Sequence, residues 1–500
     1  MPKPPLIQNA GRQFAIYGLG DLLNKAIAFV LLPIYTHYLS PRDYGTLEML
    51  DLTVYLIGLF LAMGIPQAIM RFYYEYSEPE EKNNVVSSGL LATLVLSLMS
   101  LALLIPFSRS FSSLILKSPQ YSHLFTLIFI TLGLNLVIDI PMAYFRIREM
   151  PIWFISFSTA RLFLGLGFNI LFVVILGLGV NGVVTGGLIA SALIGSVLFV
   201  YLIGQVGTSF SRKIFLPMIR YGFPLIGTWL GMYLINFGDR FLLQRLLPSA
   251  DSLTSVGIYS LAYKFGMLPN FLILSPFLMF WAPKQFQIVR EPGAPGIFSN
   301  IFNYFGFLQF FFGLGLCVLI HDIIRIIADP GYLSSSRYVP LIALAYVCYG
   351  VYVYVQFGIL YRKKTRYLAL NTLAMALLNV ALNVILIPLY GVMGSAIATL
   401  AAIFLMMGVA FFMSQRLYRI PYEYGRMLKM LVLAIVVYLV ADQVNPGNVV
   451  LSLLLKTLIV LTYPLLMIPF RIWSGKEVEM FRGFAGQFIP ALKSDKSGEG

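Results

Sequence analysis

Charge is scarce in this sequence. Only 11% of its 500 residues are Asp, Glu, Lys or Arg, where a soluble domain carries about a quarter. A water-soluble fold could not hide the 59% that are hydrophobic, so lipid must solvate most of the chain. Cysteine is nearly absent. Cys317 and Cys348 lie in apolar runs without metal-ligand spacing, which excludes a disulfide framework. His37, His123 and His321 occur singly near the ends of apolar runs, so neither zinc nor haem is expected, and no other cofactor. A GxxxxGK[ST] loop is also missing, which argues against an ATP-driven exporter acting alone. The net charge of +14 would suggest nucleic acid on a soluble chain. On a chain made of membrane spans it reads instead as Lys and Arg gathered in cytoplasmic loops, and no nucleic acid is expected.

What the sequence does contain is long apolar runs. About 20 apolar residues cross the hydrocarbon as a helix, and lipid forces such runs to satisfy their own backbone hydrogen bonds. Fourteen candidates follow: 13–37, 45–68, 84–107, 122–145, 152–176, 180–204, 218–242, 255–282, 300–320, 338–361, 367–389, 391–414, 427–442 and 448–470. The run 427–442 is the shortest. The first run is long, carries Asp21, Asn24 and Lys25, and lacks a small-residue cleavage pattern, so it is expected to remain as a span. With a cytoplasmic N-terminus, alternate loops place 24 of the 35 Lys and Arg inside and 7 outside, the other four lying within spans. That bias predicts an inner-membrane, multi-pass protein with both termini cytoplasmic.

The chain resembles itself at an offset of 212. Tyr44-Gly45-Thr46-Leu47 opens the second span and Val256-Gly257-Ile258-Tyr259 the eighth. Gly179-Val180-Asn181-Gly182 precedes the sixth span, and Gly391-Val392-Met393-Gly394 the twelfth. The basic turn Arg146-Ile147-Arg148 has its counterpart in Arg362-Lys363-Lys364, 216 residues on. Six spans separate the copies, so the halves are a parallel repeat about an axis along the membrane normal. The expected organisation is a six-helix lobe over 1–207, a second over 208–415, two further helices in 416–475 and a polar cytoplasmic tail, 476–500. Substrate sites in such transporters lie near the midplane where the repeats meet.

Charges within spans are costly, so each invites a reason. Asp21 and Lys25 are four apart on one face of the first span, either a self-neutralising pair or a polar lining. Arg161 lies mid-span after Ser156, Ser158 and Thr159 with no acid within a helical turn. It must meet an acid from another helix or await an anionic ligand. Lys264, about nine residues into the eighth span, has no acid on its own helix. Asp239-Arg240 near the end of the seventh span, and Glu48 with Asp51 at the start of the second, suit either an interfacial pairing or a cleft. Asp139 and Lys456 carry less information, and Lys456 is expected to be able to snorkel outward. Lys25, Arg161, Arg240 and Lys264 are thus the candidate binders of an anionic cargo, and Asp21, Glu48, Asp51 and Asp239 the candidate cavity acids or coupling groups. A diphosphate would be met by Arg as a fork and by Lys as a compact charge.

Several stretches resemble a known family. Gly18-Leu19-Gly20-Asp21, Leu32-Pro33-Ile34-Tyr35-Thr36-His37-Tyr38-Leu39-Ser40-Pro41 and Asp43-Tyr44-Gly45 resemble the start of Wzx-type polysaccharide biosynthesis proteins. So do Gly64-Ile65-Pro66-Gln67-Ala68-Ile69-Met70-Arg71-Phe72-Tyr73-Tyr74, Asp239-Arg240-Phe241, Tyr259-Ser260-Leu261-Ala262-Tyr263-Lys264, Asn383-Val384-Ile385-Leu386-Ile387-Pro388 and Tyr390-Gly391-Val392-Met393-Gly394. The force of the likeness lies in their order over roughly residues 10–470. The family shares a superfamily with multidrug MATE exporters and lipid II flippases. The resemblance implies an all-α membrane protein with two MATE-like six-helix lobes, a cationic central cavity and alternating access. It implies undecaprenyl diphosphate bearing an oligosaccharide as cargo, membrane lipids as surroundings, and H+ or Na+ as coupling ion.

Two other function classes compete. A MATE-like ion-coupled small-molecule antiporter shares the implied fold. A membrane-embedded glycosyltransferase or polymerase would need a catalytic constellation, and the longest outer stretches, 108–121 and 321–337, offer only Asp322 and Asp329 as clustered acids. An enzyme is therefore not expected.

Overall fold

The computed structural model describes residues 31–248 and 250–473. Every regular element among them is a helix. In chain order the helices are α1 Pro41–Ala62, α2 Ile65–Phe72, α3 Pro79–Leu104, α4 Ser108–Leu116, α5 Ser122–Ile147, α6 Pro151–Asn169, α7 Gly179–Val206, α8 Arg212–Leu246 and α9 Ser252–Gly266. They continue as α10 Ser275–Ile288, α11 Ala294–Ile327, α12 Val339–Val355, α13 Phe357–Tyr361, α14 Arg366–Tyr390, α15 Val392–Leu417, α16 Tyr424–Asp442 and α17 Val449–Leu466. Single π-helical stretches, Ile170–Ile175 and Asn270–Leu274, prolong α6 and precede α10.

Twelve of the described spans are long and apolar enough to cross a membrane. The expected count of fourteen is not reached among the described residues, for two physical reasons. The first expected span, 13–37, lies mostly outside them. The seventh exists as α8, but its charge-free middle, 221–238, is diluted by Gly, Pro, Tyr, Trp and Asn, which lower its mean hydropathy, and it falls outside the twelve. The short expected run 427–442 becomes a 19-residue helix, α16, about 28 Å long at 1.5 Å per residue.

Local sequence sets the helix ends. Ser40 opens α1 by a reciprocal cap: its Oγ accepts from the Asp43 amide at 3.2 Å, and Asp43 Oδ2 accepts from the Ser40 amide at 3.3 Å. Pro41 at the first helical position needs no amide partner. A cap of this kind contributes about 1 kcal/mol. The run 45–68, expected to be one helix, is interrupted: Met63 (φ 46°) and Gly64 (φ 66°) are left-handed, ending α1 and starting α2. Gly64 suits that conformation, and the break also carries a close approach. A Cβ on Gly64 would lie 2.6 Å from Gly222 Cα on α8.

The described residues form two compact units. The first comprises those within Met1–Leu261, Ile327–Ser334 and Ala376–Ala398. Its core gathers Ile65 and Ile69 of α2, Val85, Val86 and Leu90 of α3, Ile140 and Phe145 of α5, Leu198 and Leu202 of α7, and Met218 of α8. Outward-facing Leu98, Met99, Leu103, Val197 and Val200 are exposed, as lipid-facing positions require.

The second unit comprises those within Ala262–Ile326, Ser335–Met375 and Thr399–Gly500. One core is aromatic: Trp281 stacks on Tyr354 at 5.0 Å, and Phe277 on Phe305 at 4.3 Å. A separate core packs α16 and α17 onto α11 through Leu314, Val318, Met430, Leu433, Val437, Val460 and Tyr463. Lys456 does not snorkel outward as the sequence allowed. Its Nζ lies 2.6 Å from Asp322 Oδ2, with side-chain exposures of 8% and 1%, and Ser452 Oγ donates to the same oxygen at 2.9 Å. Asp322 is accordingly no outer-loop acid. α11 runs on to Ile327 and buries it, because burial is tolerable only when the opposite charge is supplied.

Candidate functional site

The first unit contains a cavity of about 430 Å³. One wall is α1, where Tyr55, Gly58, Leu59 and Ala62 face inward with Val54. Helical spacing of three and four puts Glu48 and Asp51 on that same face, two turns and one turn before Tyr55 respectively. Asp51 is exposed and Glu48 half-buried. The break at Met63–Gly64 turns the chain so that Pro66 and Gln67, at the start of α2, close one end.

The opposite wall is α5. Leu132, Asn135, Leu136 and Asp139 occupy one stripe of it and all line the cavity. A Cβ on Gly58 would meet Leu132 Cδ1 at 3.3 Å, so α1 and α5 close tightly there. Trp229 of α8 supplies the third side. Tyr55 is steadied from behind by Tyr233 at 5.5 Å between ring centroids, and Tyr233 is itself tied by its hydroxyl to the Leu52 carbonyl at 2.8 Å.

Arg161 stands behind the α5 wall. Its Nη2 donates to Asn135 Oδ1 at 2.7 Å and to Ser191 Oγ of α7 at 3.2 Å. The charge of Asp139 acts on it as well. Asp139 lies eight residues before the end of α5, and Arg161 ten residues after the start of α6. Those ends are joined by three residues, so both side chains lie about 12–15 Å into the bundle from the same side. The sequence posed an alternative for Arg161, an acid from another helix or an anionic ligand. The structure supplies Asp139, Asn135 and Ser191 as its neighbours.

The remaining expected site residues are placed as follows. Asp239 and Arg240 form a buried pair, Nη1 to Oδ1 at 2.6 Å with side-chain exposures of 0% and 2%. Tyr259 of α9 donates to Asp239 Oδ2 at 2.7 Å, and its ring lies 5.1 Å from the Arg240 guanidinium. This cluster fastens α8 to α9. Lys264 lies farther along α9, in the second unit, and is exposed between buried Tyr263 and Phe265. Asp21 and Lys25 lie outside the described residues. Glu48 and Asp51 are thus brought onto one face with the cavity, and Asp239 onto Arg240.

Sequence reasoning noted Asp139 as a charge within a span without assigning it to the site, and it missed Asn135, Gln67 and Trp229. A signal for Asn135 and Asp139 was present. The two are four apart in an otherwise apolar run, the spacing of one helical stripe. Gln67 and Trp229 carried none, since their meeting depends on the α1–α2 break and on α8 crossing it. Among the described residues no group of three or more His, Cys, Asp or Glu is placed to hold a metal ion.

A second cleft, of about 280 Å³, lies in the second unit where α16 begins and the segment after α17 ends, lined by Glu423, Arg426, Lys429, Arg471, Ile472 and Trp473. Arg426 pairs with Glu423 at 3.3 Å, and Asn303 donates to Glu423 at 2.9 Å.

Comparison with known proteins places this architecture. Residues 10–288 match the model of a family described as polysaccharide biosynthesis protein. The succinoglycan biosynthesis transport protein ExoT of Rhizobium meliloti (strain 1021) is 22% identical over 271 residues, covering 53% of this chain and 51% of that protein. The chain therefore spans about half the length of that curated relative. Among solved structures, the lipid II flippase MurJ in an inward-closed conformation superposes with a TM-score of 0.72 at 16% identity, over 91% of this chain and 99% of that one. An inward-facing multidrug resistance MATE family transporter of the MOP superfamily gives a TM-score of 0.60 at 15% identity, over 81% and 94%. At these identities the likeness establishes the fold, which is that of the MurJ and MATE structures.

Proposed function

This chain belongs to the polysaccharide biosynthesis protein family, and from that premise we propose that it is a flippase. Its cargo would be undecaprenyl-diphosphate-linked oligosaccharide, carried across the inner membrane by alternating access for O-antigen, capsule or exopolysaccharide synthesis. The family match over more than half of the chain carries the reading. A transmembrane cavity with an arginine set behind its wall supports it. Both termini would face the cytoplasm, on the side where Lys and Arg are concentrated.

The cargo has two unlike ends in a polar site. Its phosphates need cations in a place of low dielectric, a role for Lys25 and Lys264, while Arg161, whose guanidinium is held by Asn135 and Ser191, would act from behind the cavity wall. Arg240 would contribute by holding α8 to α9, since its guanidinium is engaged with Asp239 and Tyr259. Coupling to H+ or Na+ would fall to the acids, with Asp21, Glu48, Asp51 and Asp239 as candidates. The two six-helix lobes, 1–207 and 208–415, would rock about the cargo, with 416–475 as an accessory pair of helices.

A MATE-like antiporter is the second reading. The acids Glu48, Asp51 and Asp139 on or beside the cavity face favour it, because a cationic drug would seek them. Deleting the gene separates the two. A flippase leaves lipid-linked oligosaccharide trapped in the cytoplasmic leaflet, shown by its resistance to labelling from outside spheroplasts. If the glycolipid labels normally and drug sensitivity changes instead, the antiporter reading replaces it.

A further inference from the structure

We infer that the cavity between α1, α2, α5 and α8 is a subsite for a sugar ring of the cargo, distinct from the groups that meet its phosphates. The inference rests on the flippase reading and adds which part of the cargo enters this cavity.

The lining decides the chemistry. One carboxylate (Asp139), two carboxamides (Asn135 and Gln67), a phenol (Tyr55) and an indole (Trp229) face about 430 Å³, within the roughly 300–1,000 Å³ usual for small-ligand pockets. No described lining residue is Lys or Arg. A phosphate entering here would meet Asp139 with no cation in the wall. A polyprenyl chain would cover Asp139, Gln67 and the Asn135 amide nitrogen while offering them no hydrogen bond, which is costly for each. A cationic drug would find a carboxylate whose charge Arg161 already opposes from behind. A sugar ring satisfies every group at once. Its hydroxyls donate to the carboxylate and exchange hydrogen bonds with the amides, and its C–H faces lie on the two aromatic rings.

Arg161 fixes the polarity of the recognition. Because its Nη2 occupies Asn135 Oδ1 at 2.7 Å, the Asn135 amide nitrogen is the end left to donate. One turn along the same stripe Asp139 can only accept while ionised. A donor and an acceptor about 6 Å apart at their Cβ atoms match two neighbouring hydroxyls of one ring, one accepting and one donating. Arg161 is thereby a positioning residue for this subsite.

The test uses full-length protein purified in detergent and native mass spectrometry with two probes. One is bare undecaprenyl diphosphate. The other is the glycan-bearing form extracted from cells lacking the gene. Wild type should bind the glycan-bearing lipid about tenfold or more tightly than the bare carrier. Asp139→Asn and Gln67→Leu should each erase most of that preference, with bare-carrier binding reporting that the protein is intact. Arg161→Lys, which keeps a donor toward Asn135, should retain more of the preference than Arg161→Leu. The inference is overturned if both Asp139→Asn and Gln67→Leu keep the preference, or if wild type binds the two lipids equally. Binding of neither lipid by wild type would remove the flippase reading itself, and the subsite with it.

Discussion

Gly45 and Gly257 lie backbone against backbone. A Cβ on Gly45 would overlap the Leu253 carbonyl oxygen, and a Cβ on Gly257 would overlap the Pro41 carbonyl oxygen and approach Gly45 N at 2.9 Å. The contact is reciprocal at the offset found in the sequence: 45 and 257, like 41 and 253, differ by 212. Each glycine therefore meets the repeat counterpart of the residue four before itself, as a local two-fold axis between α1 and α9 requires.

Replacing either glycine forces the two helices apart. Overpacking at a tight site costs about 1–3 kcal/mol, and here the obstacle is backbone, which yields less than a side chain. Gly45→Ala and Gly257→Ala should each lower the thermal midpoint of the purified protein. The double variant should lose less than the sum, because one separation relieves both. Wild-type midpoints in the single variants would show that the helices are not in contact at these positions.

Asp322 and Lys456 form a different joint, tying α17 to α11 inside the second unit. Removing one partner strands a buried charge, at about 3–5 kcal/mol. Lys456→Met alone and Asp322→Leu alone should both unfold at markedly lower temperature. The Lys456→Met/Asp322→Leu double variant should recover much of the loss, since an apolar pair carries no desolvation cost. Thermal unfolding of the four proteins measures the coupling, and additive losses would mean that the two side chains do not interact.

The sequence revealed different features to different degrees. Apolar runs marked the helices because lipid allows little else, and one pair of matched glycine motifs marked the close contact of Gly45 with Gly257. The interruption at Met63–Gly64 was hidden inside a continuous apolar run, and with it the placing of Gln67. Lys456 read as a lone cation because its acid lies 134 residues away, in a stretch that looked like a loop. Arg161 was visible as a costly mid-span charge, whereas Asp139, on the helix before it, was noted as a charge within a span but with nothing to tie it to Arg161. One-dimensional depth identifies which charges need a reason, and only packing says which of them share one.

Transbilayer movement in reconstituted vesicles tests the flippase reading most directly. Protein and glycan-bearing undecaprenyl diphosphate are reconstituted together, and the glycan exposed outside is oxidised with a membrane-impermeant reagent. Wild type should bring the inner-leaflet pool out to the reagent. Arg161→Ala and Lys264→Ala, at equal reconstitution and with normal thermal midpoints, should leave that pool protected as in protein-free vesicles. If wild-type vesicles protect the inner pool as fully as empty ones, under an imposed H+ or Na+ gradient of either direction, the chain does not move this lipid.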